Sequence, residues 1–172
     1  KGMAVSLPVV LVLVDYFKGR LSNQKVWIEK IPFFALSISF GVIAILAQQA
    51  EAAIHADTIP VIQRIIFAFY GYITYIHKLL LPVSLSAYYP YPIGPREAIP
   101  FVYYAYVGIA LALIALVWYS LRHTRKVLFG LGFFTITIFL VLKLLPVGYT
   151  VLADRYSYVA SIGIFYLLAE GL

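Results

Sequence analysis

Apolar stretches alternate with short polar segments along the whole chain. Six stretches are rich in aliphatic and aromatic residues, and they cover residues 3–17, 31–50, 61–86, 101–121, 127–146 and 156–172. An α-helix needs about 20 such residues to cross the hydrocarbon core of a bilayer, and most of the stretches approach or reach that length. The pattern therefore predicts an all-α fold, a polytopic transmembrane helical bundle that forms one domain over residues 1–172.

Composition strengthens the membrane interpretation. The chain has 172 residues, of which 63% are hydrophobic and 12% are charged. Soluble domains carry about 25% charged residues, so a water-soluble globule of this composition would expose too much apolar surface. We therefore expect an integral, multi-pass membrane protein whose first partner is the lipid bilayer. The sequence contains no cysteine, which excludes disulfides and thiolate chemistry.

The positive charge of the chain is concentrated in two places. The formal net charge is +6, and most of the basic residues fall in segments 18–30 and 122–126. Short segments rich in Lys and Arg between membrane helices are typical of cytoplasmic loops. We therefore expect these cations to face an anionic lipid leaflet, and we expect no nucleic-acid partner.

Both ends of the sequence run directly into apolar residues. Lys1-Gly2-Met3 lacks the pattern of a signal peptide, and Glu170-Gly171-Leu172 closes the last apolar stretch. The first stretch, 3–17, is also shorter than a spanning helix. These features predict an incomplete bundle that is a piece of a larger protein.

The stretch 61–86 differs from the others because polar residues recur on one helical face. Arg64, Gly71, Tyr75 and Lys78 are spaced so that they share that face. If both basic segments are cytoplasmic, an even number of crossings separates them, and 61–86 is then re-entrant or interfacial. The loops 87–100 and 147–155 would share the outer face. The alternative is that 61–86 crosses fully and one basic segment faces outward.

The polar cluster with the clearest chemistry is Asp154-Arg155, which lies among tyrosines at a segment boundary. Arg155 is suited to grip a phosphate with two parallel hydrogen bonds. Asp154 would orient that phosphate or contact a sugar hydroxyl. The alternative is a local Asp–Arg ion pair at a helix start, where the acid favours the helix dipole.

Two lysines and several tyrosines are further candidates for the same surface. Lys78 and Lys143 each lie close to a proline at the end of an apolar stretch, and they would bind the donor phosphate together with Arg155. The alternative is that both lysines extend to the interface as anchors. Tyr89, Tyr91 and Tyr156 would contact sugar, or would belong to the aromatic belt of a membrane protein. The three histidines show no metal-ligand spacing, so no metal site is predicted. Asp15 closes its apolar stretch and is interpreted as a boundary residue.

Three blocks of sequence resemble one family. The first block combines Met3-Ala4-Val5-Ser6-Leu7-Pro8, Leu13-Val14-Asp15-Tyr16-Phe17 and Lys30-Ile31-Pro32-Phe33-Phe34. The second combines Tyr75-Ile76-His77-Lys78, Pro82, Leu85-Ser86 and Tyr89-Pro90-Tyr91-Pro92. The third combines Ala153-Asp154-Arg155-Tyr156-Ser157-Tyr158 with Ser161-Ile162-Gly163. In this order they are similar to the membrane domain of bacterial tetratricopeptide-repeat membrane proteins related to the transmembrane O-mannosyltransferases, which belong to the GT-C glycosyltransferase superfamily.

This resemblance implies a membrane glycosyltransferase, placed in the bacterial inner membrane. Such an enzyme would take a sugar from a polyprenyl-phosphate donor at the non-cytoplasmic face and transfer it to a protein or other acceptor, such as a glycan. Enzymes of this kind carry their key acids in a first external loop, and no residue of this sequence matches that acid. No catalytic residue is therefore assigned, and no cofactor is identified; dependence on a divalent metal stays open. The tetratricopeptide repeats expected after the membrane domain do not occur in this sequence.

Two other functions fit the same residues. A transporter or flippase of lipid-linked saccharides would share the aromatic and cationic surfaces, although it should show paired internal repeats. A non-catalytic membrane scaffold would use its cations only as anchors. In the enzyme interpretation, the chain on its own is expected to have no transferase activity.

Overall fold

The computed structural model describes residues 2–50, 60–93, 97–120, 124–142 and 150–171. The chain is mostly helical, with 75% helix, as the alternation of apolar and polar segments predicts. A short 3-10 helix, Gly2–Ser6, leads into the helices α1 Leu7–Phe17, α2 Gln24–Ala50, α3 Val61–Leu80, α4 Val102–Ser120, α5 Arg125–Phe139 and α6 Ser157–Ala169. The strands β1 Tyr89–Pro90 and β2 Thr150–Leu152 pair antiparallel, and a second 3-10 helix, Asp154–Tyr156, precedes α6. The sequence did not predict this two-stranded sheet.

The helix α2 begins inside the segment 18–30, which the sequence analysis treats as a loop. The side chain of Asn23 accepts a hydrogen bond of 3.0 Å from the backbone N–H of Lys25, and this contact caps the first turn. Lys and Glu are good helix formers, so the charged residues that follow extend the helix beyond its apolar part. The prediction of a loop up to Lys30 is therefore wrong.

Two other predicted segments extend past the helices they contain. The helix α3 ends at Leu80 and not at residue 86, because Pro82 cannot continue it and Ser84 adopts a left-handed φ of 52°. The helix α5 ends at Phe139, and a turn occupies the next three residues. The remainder of the stretch 127–146, which includes Lys143, lies outside the described residues.

Two of the described helices are long and apolar enough to cross a membrane. They are the segments Gln24–Ala47 of α2 and Val102–Tyr119 of α4. Most of their large apolar side chains are exposed; Leu36 is 57% and Trp118 is 71% accessible. The crossings predicted for the other apolar stretches stay predictions.

The tightest helix packing is between α5 and α6, which run antiparallel. A Cβ atom built on Gly163 would lie 2.3 Å from the carbonyl oxygen of Gly130, so the backbones approach as closely as two glycines allow. Phe134 and Ile138 of α5 are fully buried in the core, which also contains residues from α3, β2 and α6. The helix α1 packs on the other side of α5, with the rings of Phe17 and Phe129 4.7 Å apart.

The helix α3 lies beside the 87–100 loop at both of its ends. Near its start, the side-chain amide of Gln63 donates to the carbonyl oxygen of Glu97 at 3.0 Å. Near its end, the ammonium of Lys78 lies 4.7 Å from the ring centre of Tyr89. The choice between an interfacial α3 and one that crosses fully stays a prediction.

The buried face of α3 is mixed, because the apolar residues Ile66, Phe67 and Ala68 are buried on it together with polar ones. Gln63, Gly71 and Tyr75 are buried, whereas Ile62 is 68% and Leu80 is 48% exposed.

The two ends of the bundle differ in chemistry. Residues 81–93 and 150–156 meet at one end, here called the loop end, where β1 pairs with β2. Residues 15–30 and 124–126, together with Glu170, form the other end, here called the basic end. There the guanidinium carbon of Arg125 lies 5.7 Å from the ring centre of Tyr16. The loops expected to share a face therefore do so in their described parts, and so do the two basic segments.

Asp15 is not the simple boundary residue that the sequence suggests. Its carboxylate is ion-paired with the buried ammonium of Lys30, and the guanidinium of Arg20 lies 3.5 Å from its other oxygen. The pair joins the end of α1 to the start of α2. Asp15 does lie in the last turn of α1, as a boundary residue would, but its partner was missed because Lys30 lies in a stretch that was expected to be a loop.

Candidate functional site

The carboxylate of Asp154 is the centre of the polar contacts at the loop end. Its Oδ2 atom accepts hydrogen bonds from the backbone N–H of Ser86 at 2.6 Å and from the Tyr89 hydroxyl at 2.8 Å. Its other oxygen, Oδ1, is buried and has no hydrogen-bond partner within the described part of the chain. Because buried carboxylate oxygens normally have donors, this oxygen has capacity for a further one.

Tyr89 is positioned by the pairing of β1 with β2, in which it lies opposite Leu152. Its hydroxyl is 2.8 Å from Oδ2 of Asp154 and also 2.8 Å from the carbonyl oxygen of Ser84. One hydroxyl proton cannot serve both acceptors fully, so the two contacts compete. The left-handed backbone of Ser84 turns its carbonyl toward this position.

Lys78 is the last cation of α3 and holds the turn that follows the helix. Its ammonium donates to the carbonyl oxygens of Val83 at 3.2 Å and Ser84 at 2.9 Å, and it lies over the ring of Tyr89. The interpretation of Lys78 as an anchor that extends to the interface does not describe these contacts. The ammonium of Lys78 thus contacts the ring of Tyr89, and the hydroxyl of Tyr89 contacts the carboxylate of Asp154.

Arg155 is exposed and turns away from its neighbour Asp154. Its Nη2 donates to the Tyr156 hydroxyl at 3.3 Å, and its guanidinium carbon lies 5.1 Å from the Tyr156 ring centre. The hydrogen bond to Tyr156 raises the pKa of Arg155 above its ordinary value. The described residues form no ion pair between Asp154 and Arg155, so the alternative of a local pair at the helix start is wrong.

A residue without an assigned role in the sequence analysis fixes the backbone of the site. The Tyr75 hydroxyl accepts from the N–H of Ala153 at 3.0 Å and donates to its carbonyl oxygen at 3.2 Å. Tyr75 is 1% exposed, so α3 holds the chain directly before Asp154 in one place. The polar periodicity of α3 put Tyr75 on the correct face, but no local signal identified its partner 78 residues away.

The remaining candidates lie elsewhere. Tyr91 packs edge-on against Phe67, with ring centres 5.4 Å apart, in an aromatic cluster that also contains Tyr70 and Tyr103. Lys143 lies outside the described residues, so its predicted role is not placed. We name the group formed by Lys78, Ser84, Ser86, Tyr89 and residues 153–156 the Asp154 site.

The described residues contain no group of three His, Asp or Glu side chains arranged to hold a metal ion. The chain matches no protein-family model, no curated protein and no solved structure. The physical arrangement of the Asp154 site is therefore the basis for a functional proposal.

Proposed function

We propose that the chain is the membrane-embedded part of a GT-C-type glycosyltransferase, and that its Asp154 site binds a polyprenyl-phosphate-linked sugar. One observation carries the proposal. The fold fixes the carboxylate of Asp154 through Ser86 and Tyr89, and the next residue, Arg155, presents an exposed guanidinium. A sugar phosphate offers both complements, because its hydroxyl groups donate and its phosphate oxygens accept.

The phosphate is assigned first to Arg155. A guanidinium carries five N–H donors in a fixed plane, and the contact with Tyr156 uses one of its nitrogens. The others are available for two parallel bonds to phosphate oxygens. Lys78 contributes at longer range, because its ammonium already donates to two carbonyl oxygens of the 81–86 turn. Asp154 and Tyr89 would then face the sugar.

Membrane embedding is supported by the side chains that face outward. The helices α2 and α4 expose apolar residues along their lengths, and α3 exposes Ile62 and Leu80. In the proposal these surfaces contact lipid, and α3 lies at the interface. The loop end then faces the non-cytoplasmic side of a bacterial inner membrane, opposite the basic end.

A groove between α1, α2 and α5 offers a place for the hydrocarbon chain of the donor. Its volume is about 420 Å³, and its lining is largely apolar, with Pro8, Phe34 and Phe139 among its residues. Thr135 also lines the groove and lies 2.9 Å from the Tyr72 hydroxyl of α3. Tyr72 is one helical turn from Tyr75, the residue of α3 that holds the backbone before Asp154.

The transfer step needs a base that accepts the proton of the acceptor hydroxyl. No described residue is assigned this role, and the family resemblance puts the acid outside this sequence. The acceptor is a protein hydroxyl or another glycan. We therefore expect activity from the complete enzyme and none from this chain alone. A flippase or a scaffold would use the same surfaces without the transfer step.

The test is equilibrium binding of a polyprenyl-phosphate mannose to the full-length protein in nanodiscs. Arg155→Ala should weaken binding at least about tenfold, which corresponds to about 1.4 kcal/mol. Arg155→Lys should recover part of the loss, because it restores the charge without the planar pair of donors.

The matched control is Arg125→Ala, which removes the same residue type at the basic end. It should leave donor binding unchanged. Equal affinities for wild type and Arg155→Ala, with both proteins folded by circular dichroism, would overturn the proposed donor site. Transport of the donor without sugar transfer would favour the flippase.

A further inference from the structure

The cations of the two basic segments come together at the basic end. The guanidinium of Arg125, at the start of α5, stacks near the ring of Tyr16 at the end of α1. Its Nη1 atom lies 3.9 Å from the position that a Cβ atom on Gly19 would take. Arg125 therefore lies against the turn between α1 and α2. In that turn, Lys18 and Arg20 are the sequence neighbours of Gly19.

This turn has a fixed backbone. Gly19 has a left-handed φ of 69°, and the N–H of Arg20 donates to the carbonyl oxygen of Asp15 at 2.9 Å. The N–H of Gly19 donates to Tyr16 at 3.0 Å, which completes the hydrogen-bond pattern of a Schellman motif. The indole N–H of Trp27 donates to the carbonyl oxygen of Leu21 at 3.3 Å and ties the turn to α2. The cations thus extend from a rigid base.

The local carboxylates do not neutralise these cations. Asp15 is occupied by Lys30 and Arg20, and Glu170 is occupied by Lys126; the third acid of this end, Glu29, forms no ion pair with Lys18 or Arg125 among the described residues. Within the described part of the chain, the exposed side chains of Lys18 and Arg125 form no ion pair. An excess of positive charge therefore faces solvent between the turn and the start of α5.

The cations lie next to the apolar band of the bundle. Ile28 of α2, one residue beyond Trp27, is 64% exposed, and Trp27 itself is 48% exposed. The second of the two tryptophans in the chain is Trp118. It lies near the end of α4, shortly before the basic segment 122–126. Tryptophan is enriched where hydrocarbon meets lipid headgroups, so this band marks the level at which lipid phosphates lie.

We propose that the turn 18–20 and Arg125 bind the phosphate of an anionic phospholipid. Lys18 and Arg125 would contact the headgroup, and the acyl chains would lie along the apolar surface next to Trp27. The inference rests on the membrane embedding proposed above, but it does not depend on the Asp154 site, which is at the opposite end of the bundle.

The test uses the purified full-length protein in detergent, with bound lipids counted by native mass spectrometry during titration with phosphatidylglycerol or phosphatidylcholine. The wild type should bind phosphatidylglycerol in preference. Lys18→Gln combined with Arg125→Gln should weaken that binding about thirtyfold, because each basic residue near a lipid surface contributes about 1 kcal/mol. The control, Arg64→Gln, removes a cation of α3 that belongs neither to the basic end nor to the Asp154 site, and it should retain the preference.

Each failure has a distinct meaning. Equal binding of the two lipids, or an unchanged affinity in the Lys18 and Arg125 double variant, would overturn the lipid site. Displacement of phosphatidylglycerol by millimolar inorganic phosphate would also overturn it, because the site would then serve a free anion.

Loss of donor binding in Arg155→Gln with the lipid preference intact leaves both proposals standing. Absence of donor binding in a wild type that prefers phosphatidylglycerol would overturn the glycosyltransferase proposal alone. If the double variant does not fold, Arg125→Lys replaces it and should show an intermediate affinity.

Discussion

The hydroxyl of Tyr89 lies 2.8 Å from Oδ2 of Asp154, and this contact joins two loops whose residues are 65 positions apart in the sequence. It is the side-chain counterpart of the pairing of β1 with β2. The contact links the turn held by Lys78 to the backbone held by Tyr75. The rigidity of the Asp154 site therefore depends on three contacts from different parts of the chain.

Tyr89→Phe removes this hydrogen bond and retains the ring. We expect a loss of about 1 kcal/mol in the free energy of unfolding, because a hydrogen bond to a charged group in a partly exposed position contributes about that amount. The measurement is unfolding in mixed micelles, followed by circular dichroism. Tyr88→Phe is the control, because Tyr88 is adjacent and 54% exposed. Equal stabilities of the two variants would show that the Tyr89 contact contributes nothing.

Close packing of α5 on α6 gives a second prediction. Gly163→Ala would place a Cβ atom 2.3 Å from the Gly130 carbonyl oxygen and 2.9 Å from the Phe134 nitrogen. Both atoms belong to the backbone, so the helices must move apart, at a cost of about 1–3 kcal/mol. The loss should appear as a lower midpoint of thermal unfolding. Gly108→Ala on α4 meets no atom within 4 Å and should leave the midpoint unchanged or raise it slightly. A similar decrease in both variants would contradict the packing argument.

The sequence predicts the helical segments well and the contacts between them poorly. Apolar stretches located the six α-helices of the described residues, because the solvent that a helix prefers depends on its own side chains. The burial of Asp15 and the role of Tyr75 could not be found in this way, because Lys30 and Ala153 lie 15 and 78 residues away. The start of α2 at Gln24 was missed for another reason. Hydropathy marks the apolar part of a helix and does not show where its hydrogen bonding begins.

In the candidate site, too, the sequence predicted some contacts and missed others. The grouping of Lys78, Tyr89 and Asp154 was expected from the shared side of two loops, and the structure brings these side chains together. The alternative of an ion pair between Asp154 and Arg155 is not found among the described residues, where Ser86 and Tyr89 donate to the carboxylate.

The buried pair of Asp15 and Lys30 gives a third prediction. Asp15→Asn leaves the ammonium of Lys30, which is 4% exposed, without its counter-charge. Because an unpaired buried charge is strongly destabilising, we expect a decrease of several degrees in the thermal midpoint. Combining Asp15→Asn with Lys30→Met removes both charges and should recover much of the loss. Glu29→Gln, an exposed neighbour, is the control. A double variant less stable than either single variant would contradict the proposed cause.

The ion pair between Lys126 and Glu170 gives a prediction for pH. Hydrogen bonding to Lys126 lowers the pKa of Glu170 below its ordinary value of 4.5, and Glu170 in turn raises the pKa of Lys126. A carboxylate whose pKa is lower in the folded state stabilises the fold above its unfolded pKa, and the effect is lost as the pH falls through the folded pKa. Lys126→Gln should therefore be less stable than the wild type at pH 6. The difference should shrink below about pH 4.5 and disappear once Glu170 is protonated in both states. Thermal midpoints of the two proteins over this pH range provide the measurement.

Lys25→Gln, which removes an exposed lysine from the same end, should differ from the wild type by a nearly constant amount. A Lys126→Gln difference that stays constant from pH 6 to pH 3 would mean that the lysine stabilises the end of α6 without pairing with Glu170.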